Sequence, residues 1–282
     1  MHGGAVRPKP KSPRERWADW QELLAEPALS DYWAQLPRDR RTQIVDVLRR
    51  PSRHLAAGCA IARLPHREAW LSDRPEGMTL THQLTDRAVL GTRKGLTGVC
   101  VLDIPADAEQ YQLGSSKQTL RRKARAAREL GVTWRPVDDP VERRALLARA
   151  VEWERQHPDE QHRNEHPDLE DMLDISLWLA AFDGEGVPIL LSVTPVDGEW
   201  ALLRYFRSLG SRPACSDSRY LMTQALVEAL SARGVRHLVD SVHPNGLANG
   251  LRQFQRMVGF RLVRVTPRRL PAISIPQQRA RS

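Results

Sequence analysis

The chain has 282 residues, of which 41% are hydrophobic and 27% are charged, a balance typical of a soluble globular protein with a well-buried core. No stretch approaches eighteen consecutive apolar residues, and the first seventeen residues lack the apolar segment of a secretion signal. The sequence therefore predicts neither a secreted nor a membrane-spanning protein, and we expect it in the cytoplasm.

Basic residues exceed acidic ones, 43 to 34, which gives a formal net charge of +9. Clustered cations bind phosphates, so a polyanionic partner such as RNA is one interpretation. A coding bias toward arginine is the other, because very few of the basic residues are lysines. The cysteines Cys59, Cys100 and Cys215 are far apart. They are typical of buried residues in a reducing compartment, with Cys215 as a catalytic thiol the alternative.

The first 114 residues divide into a tail and a small domain. Residues 1–16 carry prolines and cations without an apolar period, which predicts a disordered basic tail. Residues 17–114 predict an N-terminal α/β domain. In it, helical spacing dominates up to Arg50, and residues 58–64 and 98–104 have the pattern of strands.

The basic segment 115–131 follows, with Ser116 placed to cap a helix and Gly131 placed to end it. Its arginines are candidates for contacts with phosphates, and we single out Arg121, Arg122 and Arg125. The alternative is a solvated helix face whose arginine stems cover an apolar seam.

From residue 132 onward, hydrophobic periods of two and of 3.6 residues alternate, separated by strong turn signals such as DGEG at 183–186. The predicted strands are 132–137, 177–183, 187–196, 200–208, 235–242 and 260–266, and the predicted helices are 138–156, 167–175, 218–233 and 247–258. This order predicts a mixed α/β (α+β) domain over residues 115–270, followed by a C-terminal tail at 271–282.

The run from Ser218 to Phe260 resembles the last third of the GNAT superfamily of acyltransferases. Its ending, FQRMVGF, is most similar to the Fem-like branch, which uses aminoacyl-tRNA, and to CelD-type relatives. The stretch from VLDIP to GVTW, residues 101–134, also resembles the domain junction of these branches. The resemblance covers roughly residues 98–266. It implies a GNAT-like fold, a degenerate N-terminal half, and transfer of an acyl group to an amine.

In such a fold, two neighbouring strands splay apart and expose backbone N–H groups that hold the donor. The resemblance places this splay between strands 200–208 and 235–242. Transfer to an amine requires a base, a polarised carbonyl and a proton for the leaving group. Our candidate base is Asp240, with His243 second, and our candidate acid is Tyr205. The alternatives are an aspartate bonded to loop amides and a half-buried strand aromatic.

The chain departs from the family pattern where most members that use coenzyme A carry a glycine-rich loop. The equivalent stretch, 207–221, contains a single glycine, and the usual tyrosine acid is also missing. Where Fem-like members have Phe-Lys, this chain has Phe254-Gln255. The remaining candidates for donor binding are Arg204, Gly210, Ser211, Arg212, Ser218, Arg219 and Asn249.

Three functions follow from the resemblance and the charge. The first is an N-acyltransferase that uses acyl-CoA, such as acetyl-CoA, and a small-molecule or peptide amine. The second is a Fem-like aminoacyltransferase whose donor is aminoacyl-tRNA. The third is a non-catalytic nucleic-acid-binding protein on the same fold. We expect no bound metal, because the histidines near residue 160 match no closed zinc pattern.

Overall fold

The computed structural model describes residues 26–37, 39–160 and 163–271. The predicted N-terminal tail, and the C-terminal tail beyond Pro271, lie outside these residues. What is described has the mixed α/β class that the sequence predicts. Two sheets build it, one of six strands and one of four.

The N-terminal part begins with three helices: α1 at residues 26–35, α2 at Arg40–Arg49 and α3 at Pro51–Arg63. The strand predicted over residues 58–64 is wrong, since most of this segment belongs to α3. Its apolar residues also satisfy a helical spacing, with Ala57 and Ala60 buried on one face. A proline at the first position of α3 starts the helix, so a short apolar run that fits both periods becomes helical.

The next segment supplies strand β1 (His66–Leu71), helices α4 (Pro75–Thr85) and α5 (Lys94–Thr97), and strand β2 (Val99–Asp103). The sequence pattern predicted β2 and missed β1. Along β1 only Ala69 and Leu71 are buried, because it forms an edge of its sheet and keeps polar residues on its other face. Such a short alternation gives a weak signal.

The remaining elements largely follow the predicted order. They are α6 (Gln118–Glu129), β3 (Thr133–Pro136), α7 (Pro140–Arg155), β4 (Leu177–Phe182), β5 (Pro188–Thr194), β6 (Val196–Asp197), β7 (Trp200–Leu203), β8 (Tyr205–Ser208), α8 (Pro213–Ala232), β9 (His237–Asp240), α9 (Asn249–Val258) and β10 (Arg261–Arg269).

Three of the predicted helices differ in the structure. The short helix expected at 167–175 is only a 3₁₀ turn, Glu170–Met172. Helix α8 begins five residues earlier than expected, because Pro213 occupies its first turn. Helix α6 begins at Gln118 and not at a Ser116 cap, since residues 115–117 form a separate 3₁₀ turn. Gly131 adopts a φ of +76°, as its predicted role in ending that helix requires.

The six-stranded sheet has the order β1-β10-β2-β9-β7-β6, and the four-stranded sheet has the order β3-β4-β5-β8. Strand β2 therefore pairs with β10 and β9, which come from the far end of the chain. The domain boundary predicted after residue 114 runs through this sheet, which both segments build.

The stretch 200–208, predicted as one strand, is divided between the two sheets. Strand β7 runs parallel to β9 in the first sheet, with Leu203 opposite Asp240. Strand β8 pairs instead with β5 in the second sheet, with Tyr205 opposite Val193. Arg204 lies at the bend, and its N–H bonds to the carbonyl of Leu202 at 2.8 Å. The chain therefore leaves the first sheet at Arg204, and β8 diverges from β9; we call this divergence the wedge.

Helix α8 packs against β4, β5 and α6, and its apolar residues belong to the largest hydrophobic cluster. A second cluster lies where α7 packs against the four-stranded sheet, and a third where α4 packs against the six-stranded sheet. Within the described ranges, no helix has the length and apolar character needed to cross a bilayer.

Candidate active site

The wedge opens where the β7–β9 pairing ends. The last paired residues are Leu203 of β7 and Asp240 of β9. We call this pair the closed end of the wedge. Beyond it, β8 is the last strand of its sheet, and it pairs on one side only within the described chain. Backbone groups on its other side have no strand partner among the residues that the structure describes. This is the place where the family resemblance puts a splay.

Asp240 ends β9 at the closed end of the wedge and is 7% exposed. Its carboxylate accepts hydrogen bonds from the backbone N–H of Val242, at 2.8 Å, and from the side-chain amide of Gln255. Burial raises the pKa of Asp240 to about 6, although both hydrogen bonds favour the charged form. A carboxylate with this pKa can accept a proton near neutral pH.

Gln255 was noted in the sequence only as the residue that replaces a lysine of Fem-like members. In the structure it is buried in α9, and its amide reaches Asp240 fifteen residues earlier in the chain. A glutamine among the apolar residues of a helix was the available signal, but its partner could not be read from spacing. The contact holds the Asp240 carboxylate against α9.

His243, the second candidate base, is buried and fully engaged. Its two ring nitrogens lie 2.9 Å from the hydroxyl of Thr97 and 2.9 Å from the side-chain oxygen of Asn245. The ring also packs edge-on against Trp33. Burial lowers the pKa of His243 to about 4, so the ring is neutral at physiological pH. These contacts make it a structural link between the loop after β9 and the N-terminal elements.

Tyr205, the candidate acid, begins β8 but lies in the hydrophobic cluster beneath α7. Its hydroxyl is buried, with no hydrogen-bond partner in the described chain. Burial raises the pKa of Tyr205, and the adjacent Glu154 carboxylate, close to the hydroxyl but not in good hydrogen-bond geometry, contributes in the same direction. Glu154, itself 4% exposed, forms an ion pair with Arg207 at 3.2 Å. No hydrogen bond joins Tyr205 to Asp240, so the structure separates the two candidates.

Three aromatic rings connect β8 with α8 and α9. Phe254 of α9 stacks on Phe206 of β8 with ring centroids 6.3 Å apart, and it meets Tyr220 of α8 edge-on at 5.1 Å. Tyr220 and Phe254 are both largely buried. The FQRMVGF motif contains Phe254, but the row itself has no local sequence signal, since its members come from three elements.

Two of the arginines assigned to donor binding are held by carboxylates. Arg204 forms two hydrogen bonds with Asp171, at 3.1 and 3.2 Å. Arg212 bonds to Asp183 and lies 3.5 Å from Glu185. The first ion pair holds the bend between β7 and β8, the second holds the residue before α8, and both leave the guanidinium groups partly neutralised.

The other members of that set are dispersed around the start of α8. Ser218 is fully buried and donates to the carbonyl of Cys215 at 2.9 Å, whereas Ser211 is exposed. Gly210 leaves open space, with the sulfur of Cys215 4.0 Å from the position of an added Cβ. Asn249 begins α9, but its side chain lies outside what the structure describes.

Arg219 differs from the other arginines near the wedge. It is half-buried, its closest polar partner is the hydroxyl of Ser208 at 3.4 Å, and no carboxylate pairs with it within the described residues. Burial lowers the pKa of its guanidinium, with the nearby Arg207 acting in the same direction. A partly desolvated cation that no carboxylate pairs with among the described residues is suited to binding an anion.

The basic helix α6 packs its apolar side against α8 and exposes part of its basic side. Arg121 does not face solvent freely, since it donates to the carbonyls of Gln112 and Gly114. Lys123 forms an ion pair with Asp217 at 2.8 Å. Arg122 and Arg125 are exposed. These two arginines are the part of the predicted phosphate contact that remains accessible.

The cysteines carry no evident chemistry. Cys100 and Cys215 are buried, and burial raises the pKa of each thiol, which disfavours a reactive thiolate. Cys59 is exposed on α3. Among the residues that the structure describes, no group of three or more candidate ligands is placed to hold a metal ion. His162 lies outside them.

No protein-family model and no curated protein matches this chain. Among solved structures it is similar to the C-terminal domain of a putative lysylphosphatidylglycerol synthetase from Agrobacterium fabrum, with a TM-score of 0.44 and 13% identity over 58% of this chain. It is also similar to L-PGS from Bacillus licheniformis (TM-score 0.42, 15% identity, 58% of this chain). A conserved protein of unknown function from Bacteroides thetaiotaomicron follows (0.41, 12%, 57%).

The match spans 57%, 57% and 55% of these three chains respectively, which is less than two thirds of each. At such identities, and with TM-scores below 0.5, the likeness carries no conclusion about activity. Function has to be argued from the wedge and from the residues around it.

Proposed function

We propose that this chain is an aminoacyltransferase, which moves an aminoacyl group from a charged tRNA to an amine acceptor. The observation that carries the proposal is the division of residues 200–208 between two sheets, which opens a wedge with the buried carboxylate of Asp240 at its closed end. The GNAT and Fem-like motifs of the sequence point to the same place.

The chemistry requires few groups. The nitrogen of the acceptor attacks the ester carbonyl of the charged tRNA, a C–N bond forms, and the C–O bond to the ribose breaks. Asp240 takes the proton that the attacking amine loses, and the freed ribose oxygen takes up a proton. Backbone N–H groups on the unpaired side of β8 supply hydrogen bonds to the carbonyl oxygen as it becomes negative.

The choice of donor rests on charge and on the loop before α8. Coenzyme A users hold a pyrophosphate with a glycine-rich loop, whereas here Leu209 is buried and Arg212 is bonded to Asp183. The exposed Arg122 and Arg125 of α6 offer a second cationic surface, suited to a long polyanion. A net charge of +9 agrees with such a partner.

A second candidate is the acyl-CoA-dependent transferase, and Arg219 favours it. This cation is half-buried in the second turn of α8, and no carboxylate in the described chain neutralises it. One phosphate group could bind there even without the glycine-rich loop. The acceptor in either case is a small-molecule or peptide amine.

The test compares the two donors on one preparation of nuclease-treated protein. A pool of tRNA charged with labelled amino acids, or labelled acetyl-CoA, is incubated with a panel of primary amines, and amide formation is measured. We expect product from the charged tRNA and none above background from acetyl-CoA.

The test variant is Asp240→Asn. Its matched control is Asp138→Asn, at an exposed aspartate outside the wedge. Only Asp240→Asn should abolish product. Product from acetyl-CoA alone would replace this proposal with the second candidate. Tight tRNA binding without any transfer would instead support the non-catalytic nucleic-acid-binding alternative.

A further inference from the structure

The loop after β9, residues 241–243, is held at two points by side chains of the N-terminal helices. The side-chain amide of Gln83 in α4 donates to the backbone carbonyl of Ser241. The hydroxyl of Thr97, the last residue of α5, lies 2.9 Å from a ring nitrogen of His243. Both contacts attach the loop to a part of the chain that lies outside the region of family resemblance.

Val242 lies between these two attachment points, and its backbone N–H donates to one oxygen of the Asp240 carboxylate at 2.8 Å. The other oxygen of that carboxylate accepts from Gln255. Because the Val242 bond joins residues only two positions apart, its geometry depends on the conformation of the loop. Whatever fixes residues 241 and 243 therefore also fixes a hydrogen bond to the candidate base.

The attachment at His243 is buried. Thr97 is 7% exposed and His243 is 6% exposed. The hydroxyl of Thr97 donates to the carbonyl of Lys94 at 3.0 Å, which leaves its oxygen to accept the ring N–H of His243. On its other side, the ring packs edge-on against Trp33 of α1. Breaking a hydrogen bond in such a place leaves a buried polar group unpaired, so the loop has a strong preference for this position.

We infer that Gln83 and Thr97 are positioning residues for Asp240. They hold the 241–243 loop so that the N–H of Val242 stays bonded to the carboxylate, and this bond stabilises the charged form of the base. The inference rests on the proposed function, since it gives the N-terminal helices a part in the same site.

The titratable neighbours of Asp240 are neutral near pH 6. Burial raises the pKa of the Cys100 thiol, on the adjacent strand β2, well above its usual range, and burial lowers the pKa of His243 to about 4. Lys94 of α5 is paired with a carboxylate at 2.7 Å, and Arg252 of α9 is bonded to two backbone carbonyls. A change in the pKa of Asp240 after loss of the loop contacts would therefore report on its hydrogen bonding and its burial.

The experiment measures the pKa of Asp240 by ¹³C NMR of its carboxyl group in the full-length protein, with the signal assigned by its loss in Asp240→Asn. The test variants Gln83→Met and Thr97→Val each remove one contact with little change in volume. Their matched controls are Gln118→Met and Thr133→Val, at exposed positions.

In each test variant we expect a pKa about 0.5 to 1 pH unit higher than in the wild type, because a weakened hydrogen bond favours the neutral acid. The controls should keep the wild-type value, and so should Thr97→Ser, which retains the hydroxyl. Gln83→Asn, whose amide is too short to reach the loop, replaces Gln83→Met if that variant does not fold. A folded test variant with an unchanged or lowered pKa overturns the inference for that residue.

The pH dependence of transfer from charged tRNA separates this inference from the proposed function. The midpoint of the rate profile should move upward with the pKa of Asp240 in Gln83→Met and Thr97→Val, whereas a loss of stability alone would lower the rate without moving the midpoint. Transfer by the wild type, with a midpoint that neither variant moves, would sink the positioning role and leave the proposed function standing. A raised pKa in a protein that transfers nothing would do the reverse.

Discussion

The wedge has two arms, strand β9 and strand β8, and each carries a buried polar side chain. The two side chains differ in their hydrogen bonding. On the β9 arm, Asp240 has two hydrogen bonds to its carboxylate, and burial raises its pKa to about 6. On the β8 arm, the hydroxyl of Tyr205 has no partner in the described chain, and burial raises its pKa away from the physiological range.

The difference teaches where proton transfer is feasible. A base needs a pKa near the working pH, and burial gives Asp240 such a pKa. Tyr205 lies in the cluster under α7, beside the negative charge of Glu154, and both conditions oppose its ionisation. The sequence predicts the two residues as an acid–base pair, but the structure places them in different surroundings.

The largest expected effect concerns catalysis. Asp240→Asn removes the base with little change in shape, and transfer should fall by about 10²- to 10⁴-fold. Wild-type activity should rise as the pH passes about 6, because only the ionised carboxylate accepts a proton. Steady-state rates between pH 5 and 8 measure both effects. Unchanged activity in folded Asp240→Asn would remove Asp240 from the mechanism.

The next effect is a pair of opposed pH dependences of stability. The pKa of Asp240 is raised from 3.8 to about 6, so this group lowers the free energy of unfolding as the pH rises from about 4 to 6. The pKa of His243 is lowered from 6.5 to about 4, so this group raises the free energy of unfolding as the pH rises over nearly the same range. Each change is on the order of 3 kcal/mol, and in the wild type they largely cancel.

Single variants should reveal each dependence. Asp240→Asn should become more stable as pH rises from 4 to 6.5, and His243→Gln should become less stable. Urea unfolding at several pH values measures the free energy of unfolding, with Asp138→Asn as the control. Identical pH profiles for the two variants would show that the burial of these groups does not set their protonation.

A smaller effect is expected on the β8 arm. Tyr205→Phe removes a buried hydroxyl that lies beside the carboxylate of Glu154 without a well-formed hydrogen bond, so the free energy of unfolding should change by no more than about 1 kcal/mol. Transfer should change less than about tenfold. A larger loss of activity at unchanged stability, measured on the same preparation, would show that Tyr205 contacts the reactants.

The smallest effect concerns α6. If Arg122 and Arg125 contact phosphates, each change to Gln should reduce the slope of log affinity for tRNA against log salt concentration by about one. The exposed Arg149 of α7 provides the control, since Arg149→Gln should leave the slope unchanged. Filter binding over a range of salt concentrations gives these slopes. Equal slopes for all three variants would place tRNA on another surface.

Much of the second half was predictable because its signals are local. Asp139 and Pro140 start α7 as expected, and Gly131 ends α6 with a positive φ. The turn DGEG forms between β4 and β5, with Asp183 accepting from the backbone of Glu185 and Val187. These features depend on residues within four positions of one another. The helix at 58–64 was mistaken for a strand because a short apolar run fits both periods.

By itself, the sequence determined the mixed α/β class, most element boundaries after residue 132, and the position of Asp240 at the end of its strand. Only the tertiary structure decided that residues 200–208 divide at Arg204, that Gln255 holds Asp240, and that Tyr205 faces a different cluster. The physical reason is range. Periodicity and capping act between neighbours in the chain, whereas the partner of a buried polar group is chosen by packing between elements far apart in sequence.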